Sequence, residues 1–186
     1  MTAVNIPDMV KMIRAHGLVP VPVDISDETL GPSTEDFKNA FTDKTKLVLV
    51  SFIYGAKFEA EELFKFAHSR GCLVFEDQAE SFTDVKDNGS PSADFTMFSF
   101  GTIKPFTALG GAITIVRNQE VIFRKAKDIV SNYPMMSQSF YFTKILKNMP
   151  VAFCLNTPWI NSFFRPILYK LNFDYKTRFV SMVRGF

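Results

Sequence analysis

The chain has 186 residues, of which 47% are apolar and 22% charged, with a net charge of +2. That balance excludes a disordered polyampholyte and is enough for one domain with a real core. The charge is divided along the chain: residues 1–120 hold 11 Lys+Arg against 17 Asp+Glu, and residues 121–186 hold 10 against 2, so the chain is electrically two-part.

Ile6 to His16 reads as a helix with Pro7 in its first turn and Gly17 at its end. Leu18 to Val23 reads as a short strand whose two prolines favour an edge or terminal position. Thr34 to Phe41 is a helix opened by Ser33 or Thr34, with Glu35 and Asp36 in its first turn. The apolar run Leu47 to Tyr54 suits a strand buried on both faces. Glu59 to Arg70 is helical, with Leu63, Phe66 and Ala67 on one face, and Gly71 stops it.

Strands at 72–76, 94–100 and 111–116 follow, then a helix from about Asn118 to Ser131. The alternation predicts an α/β fold, a three-layer α/β/α arrangement around a mostly parallel sheet. Asp87-Asn88-Gly89-Ser90-Pro91 reads as a surface loop between two strands. Neither a dinucleotide fingerprint nor a nucleotide P-loop occurs; Gly110-Gly111 instead permits close backbone approach beside a site.

Open α/β sheets bind ligands outside the carboxyl ends of their strands. Asp77 ends one apolar strand, and Lys104 lies just past another, so both residues point into one crevice. A carboxylate that holds a pyridine nitrogen protonated, with an amine that forms a Schiff base, is the protein's share of pyridoxal phosphate chemistry. Each residue alone has a plainer reading. An acid after a strand is commonly a turn former or helix cap, a lysine before proline a solvated one, a serine in an apolar strand a buried hydroxyl, and Glu76 a surface or salt-bridged acid.

The ordered series is what separates these readings. Residues 74–82 read VFEDQAESF, residues 98–104 FSFGTIK and residues 108–112 ALGGA, with LVPVPVD (18–24), KTKLVLV (44–50) and YG (54–55) upstream. Together they resemble the DegT/StrS-type sugar aminotransferases, fold type I pyridoxal phosphate enzymes, over residues 3 to 135. The resemblance implies an aspartate aminotransferase-like large domain, incomplete here. It implies pyridoxal 5'-phosphate as cofactor, Lys104 as the Schiff-base lysine and its acid/base, Asp77 as partner of the pyridine nitrogen, and Ser99 as a phosphate ligand. Position 80 usually holds a glutamine near the cofactor's phenolic oxygen; here it is Glu80, a second negative charge beside Asp77. The implied substrates are an amino donor, typically glutamate, and a nucleotide-linked keto sugar. The implied assembly is a homodimer. The family's dehydratases lack the lysine, so Lys104 points to transamination.

Residues 1–133 are thus expected to form part of the large domain, with Tyr133-Pro134 a hinge into a basic, aromatic segment over 134–186. The family's enzymes are about twice this long, and no SerGlyThr phosphate turn occurs here, so a fragment with impaired activity is the expectation. From Phe140 to Tyr169 prolines and Arg165 interrupt any apolar run of the roughly 20 residues a membrane span needs. This segment either packs on other parts of the enzyme or on a dimer mate, or lies on an anionic membrane surface. The alternative to an enzyme is a catalytically inactive fold relative that acts as an interaction or membrane-associated protein. No nucleic-acid motif is present.

Cys72 and Cys154, in no CxxC pair, point to neither a disulfide scaffold nor structural zinc, and Cys72 is expected as a small buried hydrophobe. His16 and His68 lack ligand spacing, so no metal site is expected. The first residues lack the pattern of a secretory signal, which makes the cytoplasm the expected setting.

Overall fold

The computed structural model describes residues 1–104, 106–160, 162–163 and 166. Four strands form one sheet in the order β1-β2-β3-β4: β1 (Leu47–Ser51), β2 (Leu73–Asp77), β3 (Phe95–Ser99) and β4 (Ala112–Val116). β1, β2 and β3 run parallel, and β4 pairs antiparallel with β3. The expected mostly parallel α/β sheet is therefore present, and its carboxyl-terminal edge gathers the ends of β1, β2 and β3.

Five helices accompany the strands among the described residues: α1 (Pro7–Ala15), α2 (Thr34–Asn39), α3 (Glu61–Ser69), α4 (Glu120–Ser131) and α5 (Gln138–Asn156). Local chemistry sets their starts. Pro7 opens α1 where its missing N–H costs nothing, and the Ser33 hydroxyl accepts from the Asp36 N–H to cap α2. Gly71, at φ +70°, ends the turn after α3.

The core lies between the sheet and α2 and α3. Val48, Val50 and Val74 meet Phe37, Leu63, Phe64 and Ala67 there, and Phe37, Phe41 and Phe66 extend the contact by edge-on and tilted ring packing. Phe64 is wholly buried, a neighbour that the predicted face of Leu63, Phe66 and Ala67 leaves out; Phe66 packs at the margin instead. Cys72 is buried and free, while the side chain of Cys154 lies outside the described residues.

Residues 18–23 do not form the expected strand. Only Val23 pairs, in an isolated parallel bridge with Thr2, because Pro20 and Pro22 supply no N–H for a ladder. Thr2 in turn donates its N–H to the Leu49 carbonyl at 3.1 Å, so the amino-terminal residues flank β1.

Glu76 corrects a second expectation, for it is not exposed and forms no ion pair among the described residues. It is 2% exposed and accepts from Gln78 Nε2 at 2.8 Å, the Ser90 N–H at 2.9 Å and Thr96 Oγ1 at 2.7 Å. Arg117 donates onward to Thr96 Oγ1, the Ala93 carbonyl and the Asn88 carbonyl. The loop after Asp87 is thereby folded inward rather than lying free on the surface. Gly89, at φ +71°, sits so close that a Cβ would collide with Glu76 Oε2 and Thr96 Cγ2. Gly89→Ala combines a left-handed backbone with overpacking, and should cost about 2–5 kcal/mol. A lowered denaturation midpoint with an unchanged slope would show it; an unaltered midpoint would show that the loop is loosely held.

No helix among the described residues is long and apolar enough to cross a membrane. α5 runs through Pro150, one of the prolines that interrupt the apolar run.

Candidate active site

The carboxyl-terminal edge of the sheet collects Ser51, Asp77 and Ser99 as the last residues of three parallel strands. In register, Ser51 stands beside Asp77 and Asp77 beside Met97, so the hydroxyl of Ser51 lies next to the carboxylate. Ser51 Oγ donates to Asp77 Oδ2 at 3.3 Å, and Asn5 Nδ2 donates to Ser51 Oγ at 2.7 Å. The Ala79 N–H holds the other oxygen, Asp77 Oδ1, at 3.0 Å. Asp77 is a buried carboxylate fixed on both oxygens. Sequence reasoning missed Ser51 and Asn5; the one signal was that Ser51 closes its apolar strand as Asp77 closes β2.

Burial pushes the Asp77 carboxyl above the usual carboxylate range. The Ala79 N–H, the Ser51 hydroxyl and the positive charge of Lys104 oppose that rise, and Glu80 adds to it. Asp77, Glu80 and Lys104 thus form one electrostatic group.

Lys104 lies in the loop from Phe100 to Gly111. The loop is pinched at its base, where Phe100 donates to the Gly111 carbonyl and its own carbonyl accepts from Ala108 and Gly110. Gly110 and Gly111 both have positive φ, as the close backbone crossing requires. Phe82 fills the loop's flank, edge-on to Phe98, Phe100 and Phe106. Lys104 is accordingly only 18% exposed in its side chain, with Nζ 3.7 Å from Glu80 Oε1. A Cβ on Gly101 would lie 3.8 Å from both Ser99 Oγ and Lys104 Cγ, so the serine and the lysine flank the same glycine.

The structure therefore brings Asp77, Glu80, Ser99 and Lys104 to one edge. A second polar cluster lies elsewhere. Asp94, just before β3, accepts from His68 Nε2 at 3.0 Å, the Val74 N–H at 2.8 Å and Gln119 Nε2 at 3.0 Å. Burial raises its carboxyl, but these donors outweigh that and hold it below its ordinary value. It ties α3 and the residue before α4 to the sheet. No group of acids, histidines and cysteines among the described residues is arranged to hold a metal ion.

Comparison with known proteins places the chain. A GDP-perosamine synthase from Escherichia coli O157:H7 is 33% identical over 101 residues, 54% of this chain and 26% of that protein. The crystal structure of NtdA from Bacillus subtilis with bound PMP cofactor superposes with a TM-score of 0.54 at 28% identity, over 63% of this chain and 27% of that one. DesI, solved in the presence of its TDP-sugar product, gives a TM-score of 0.57 at 25% identity, over 67% and 32%. The chain thus spans about a quarter to a third of the length of these relatives. Residues 1–147 match the DegT/DnrJ/EryC1/StrS aminotransferase family, and the chain belongs to that family.

Proposed function

We propose that the chain carries the cofactor-holding edge of a pyridoxal phosphate-dependent aminotransferase that passes an amino group from an amino acid, typically glutamate, to a nucleotide-linked keto sugar. The observation that carries this reading is the convergence of Asp77, Ser99 and Lys104 on one sheet edge. The family membership and the names of the relatives, a GDP-perosamine synthase and an enzyme solved with its TDP-sugar product, support the substrate class.

The residues fit the group. Asp77 is buried, fixed on both oxygens and able to face a protonated ring nitrogen. Ser99 closes β3 with a half-buried hydroxyl, available to a phosphate oxygen. Lys104 presents a sheltered primary amine. When bound, the cofactor supplies an electron sink and a reactive carbonyl. Asp77 would keep the ring nitrogen protonated, the Asn5–Ser51 chain would keep Asp77 in place, and Lys104 Nζ would carry the substrate's α proton between two positions. The aromatic flank of Phe82, Phe98, Phe100 and Phe106 would exclude water from the lysine's stem.

Titration of the purified chain with pyridoxal phosphate, followed by glutamate and then a nucleotide-linked keto sugar, tests the proposal. A bound chromophore that glutamate converts and the keto sugar restores is the expected result. A chromophore that no amino acid converts would remove the aminotransferase reading. Ser99→Ala should weaken cofactor retention by about tenfold, the worth of one charge-assisted hydrogen bond; retention equal to the wild type would remove Ser99 from the phosphate site.

One observation favours a second reading. No residue of α4 is buried, and Val121, Phe123, Val130, Phe140 and Phe142 stand exposed along α4 and α5. Such surface suits a dimer mate, an interaction partner or, with Lys144 and Lys147 on α5, an anionic membrane surface. An inactive, associating relative would sediment as an oligomer and take up no chromophore.

A further inference from the structure

Glu80 brings a second carboxylate to the site, and its two oxygens face different partners. Oε2 accepts from the Tyr54 backbone N–H at 2.9 Å. Oε1 faces Lys104 Nζ at 3.7 Å. Among the described residues no other acid lies within ion-pair reach of that lysine. The lysine is the more enclosed partner, 18% exposed against 45% for Glu80, so the pair is only partly screened by water.

The segment that positions Glu80 is built for close approach. Tyr54 and Gly55 both adopt the left-handed region, at φ +57° and +77°, an uncommon setting for a tyrosine. Its ring gains nothing from that strain, being 78% exposed. What the turn achieves is to aim the Tyr54 N–H at Glu80 and to lay Gly55 over the same residue, where a Cβ would stand 3.6 Å from the Glu80 carbonyl.

We propose that Glu80 guards Lys104. Before any ligand is bound, the Tyr54–Glu80–Lys104 chain keeps a carboxylate against the amine, and a carbonyl compound reaches Nζ only by displacing that contact. The nitrogen attacks a carbonyl only once that contact is given up, so the guard sets how readily the lysine reacts. The inference rests on the reading that Lys104 is the reactive lysine of the site, and it concerns that lysine's regulation. The positioning residue is Glu80, and the turn at Tyr54-Gly55 is what keeps its carboxylate on station.

The test needs no cofactor. A brief pulse of acetic anhydride at fixed pH, followed by peptide mapping, gives the acetylation of Lys104 relative to the exposed Lys86. Glu80→Gln keeps an oxygen for the Tyr54 N–H but removes the charge, and should raise that ratio about two- to fivefold, the range for a partly exposed pair. In the wild type the ratio should rise with salt as the pair is screened, whereas in Glu80→Gln it should be high and insensitive to salt. Glu80→Asp, which keeps the charge, should remain slow and salt-sensitive. The wild-type salt series stands by itself should the variants misfold. A ratio that neither salt nor Glu80→Gln alters overturns the guard. Normal pyridoxal phosphate loading with an unaltered ratio would sink the guard alone; the expected ratios with no loading at Lys104 would sink the aminotransferase reading alone.

Discussion

Replacing Lys104 by alanine should abolish both the covalent capture of pyridoxal phosphate and any glutamate-dependent half-reaction. The structure places this amine with Asp77 and Ser99 at the sheet edge. Borohydride reduction of the loaded protein, with peptide mapping, should put the pyridoxyl group on Lys104 and leave surface lysines unlabelled. Proton transfer by a positioned side chain is worth about 10²–10⁴ in rate, so transamination should fall at least that far even if an added amine restores some binding. The variant should fold normally, since the lysine's one ion pair is long and half-exposed. Label spread over many lysines, unchanged in Lys104→Ala, would remove the cofactor reading altogether.

The strands that carry this site are legible because their signals are local. Apolar runs of about five residues bounded by Gly71, Gly89 and Gly111 mark β2, β3 and β4; Asp77 and Lys104 are read from where those runs stop, and Ser99 from the family resemblance. What escaped are features that depend on pairing across the sheet. Ser51 matters because register sets it beside Asp77, and Asn5 because the amino-terminal residues flank β1; neither position has a periodicity of its own. Glu76 reads as a surface acid until Thr96, Gln78 and the Ser90 N–H close over it. The same nonlocality governs the failed strand at 18–23, where the apolar pattern is right and the missing proline N–H groups decide. In α5 the outcome reverses. Pro150 is helical despite its ring, with the preceding turn at Leu146 half open to water, which can satisfy the carbonyl freed by the missing N–H.

Asp77→Asn should separate the site's chemistry from the fold's stability, with opposite signs. Burial raises the Asp77 carboxyl above its ordinary value, so the folded state binds this proton more tightly than the unfolded chain does. By linkage, the stabilisation from that proton is complete below the ordinary carboxylate range and is lost as pH rises through the elevated folded value. Above that value the wild type holds a buried charge that its two hydrogen-bonding neighbours, the Ala79 N–H and the Ser51 hydroxyl, and the nearby Lys104 compensate only in part. Asparagine keeps an acceptor for the Ala79 N–H and removes that charge. Its thermal midpoint at neutral pH should equal or exceed the wild type's, and its stability should lack the decline that the wild type shows as pH rises from the acid range. Transamination should move the other way. A neutral amide cannot hold a ring nitrogen protonated, and losing one charge-assisted hydrogen bond of about 1.5–3 kcal/mol slows the reaction about ten- to a hundredfold. Paired melting curves across pH and single-turnover rates on the two proteins give both readings from the same samples. A variant that is less stable yet equally active would show that Asp77 serves the sheet and not the chemistry. A variant that is both as stable and slower is what a carboxylate kept for function, at the fold's expense, must produce.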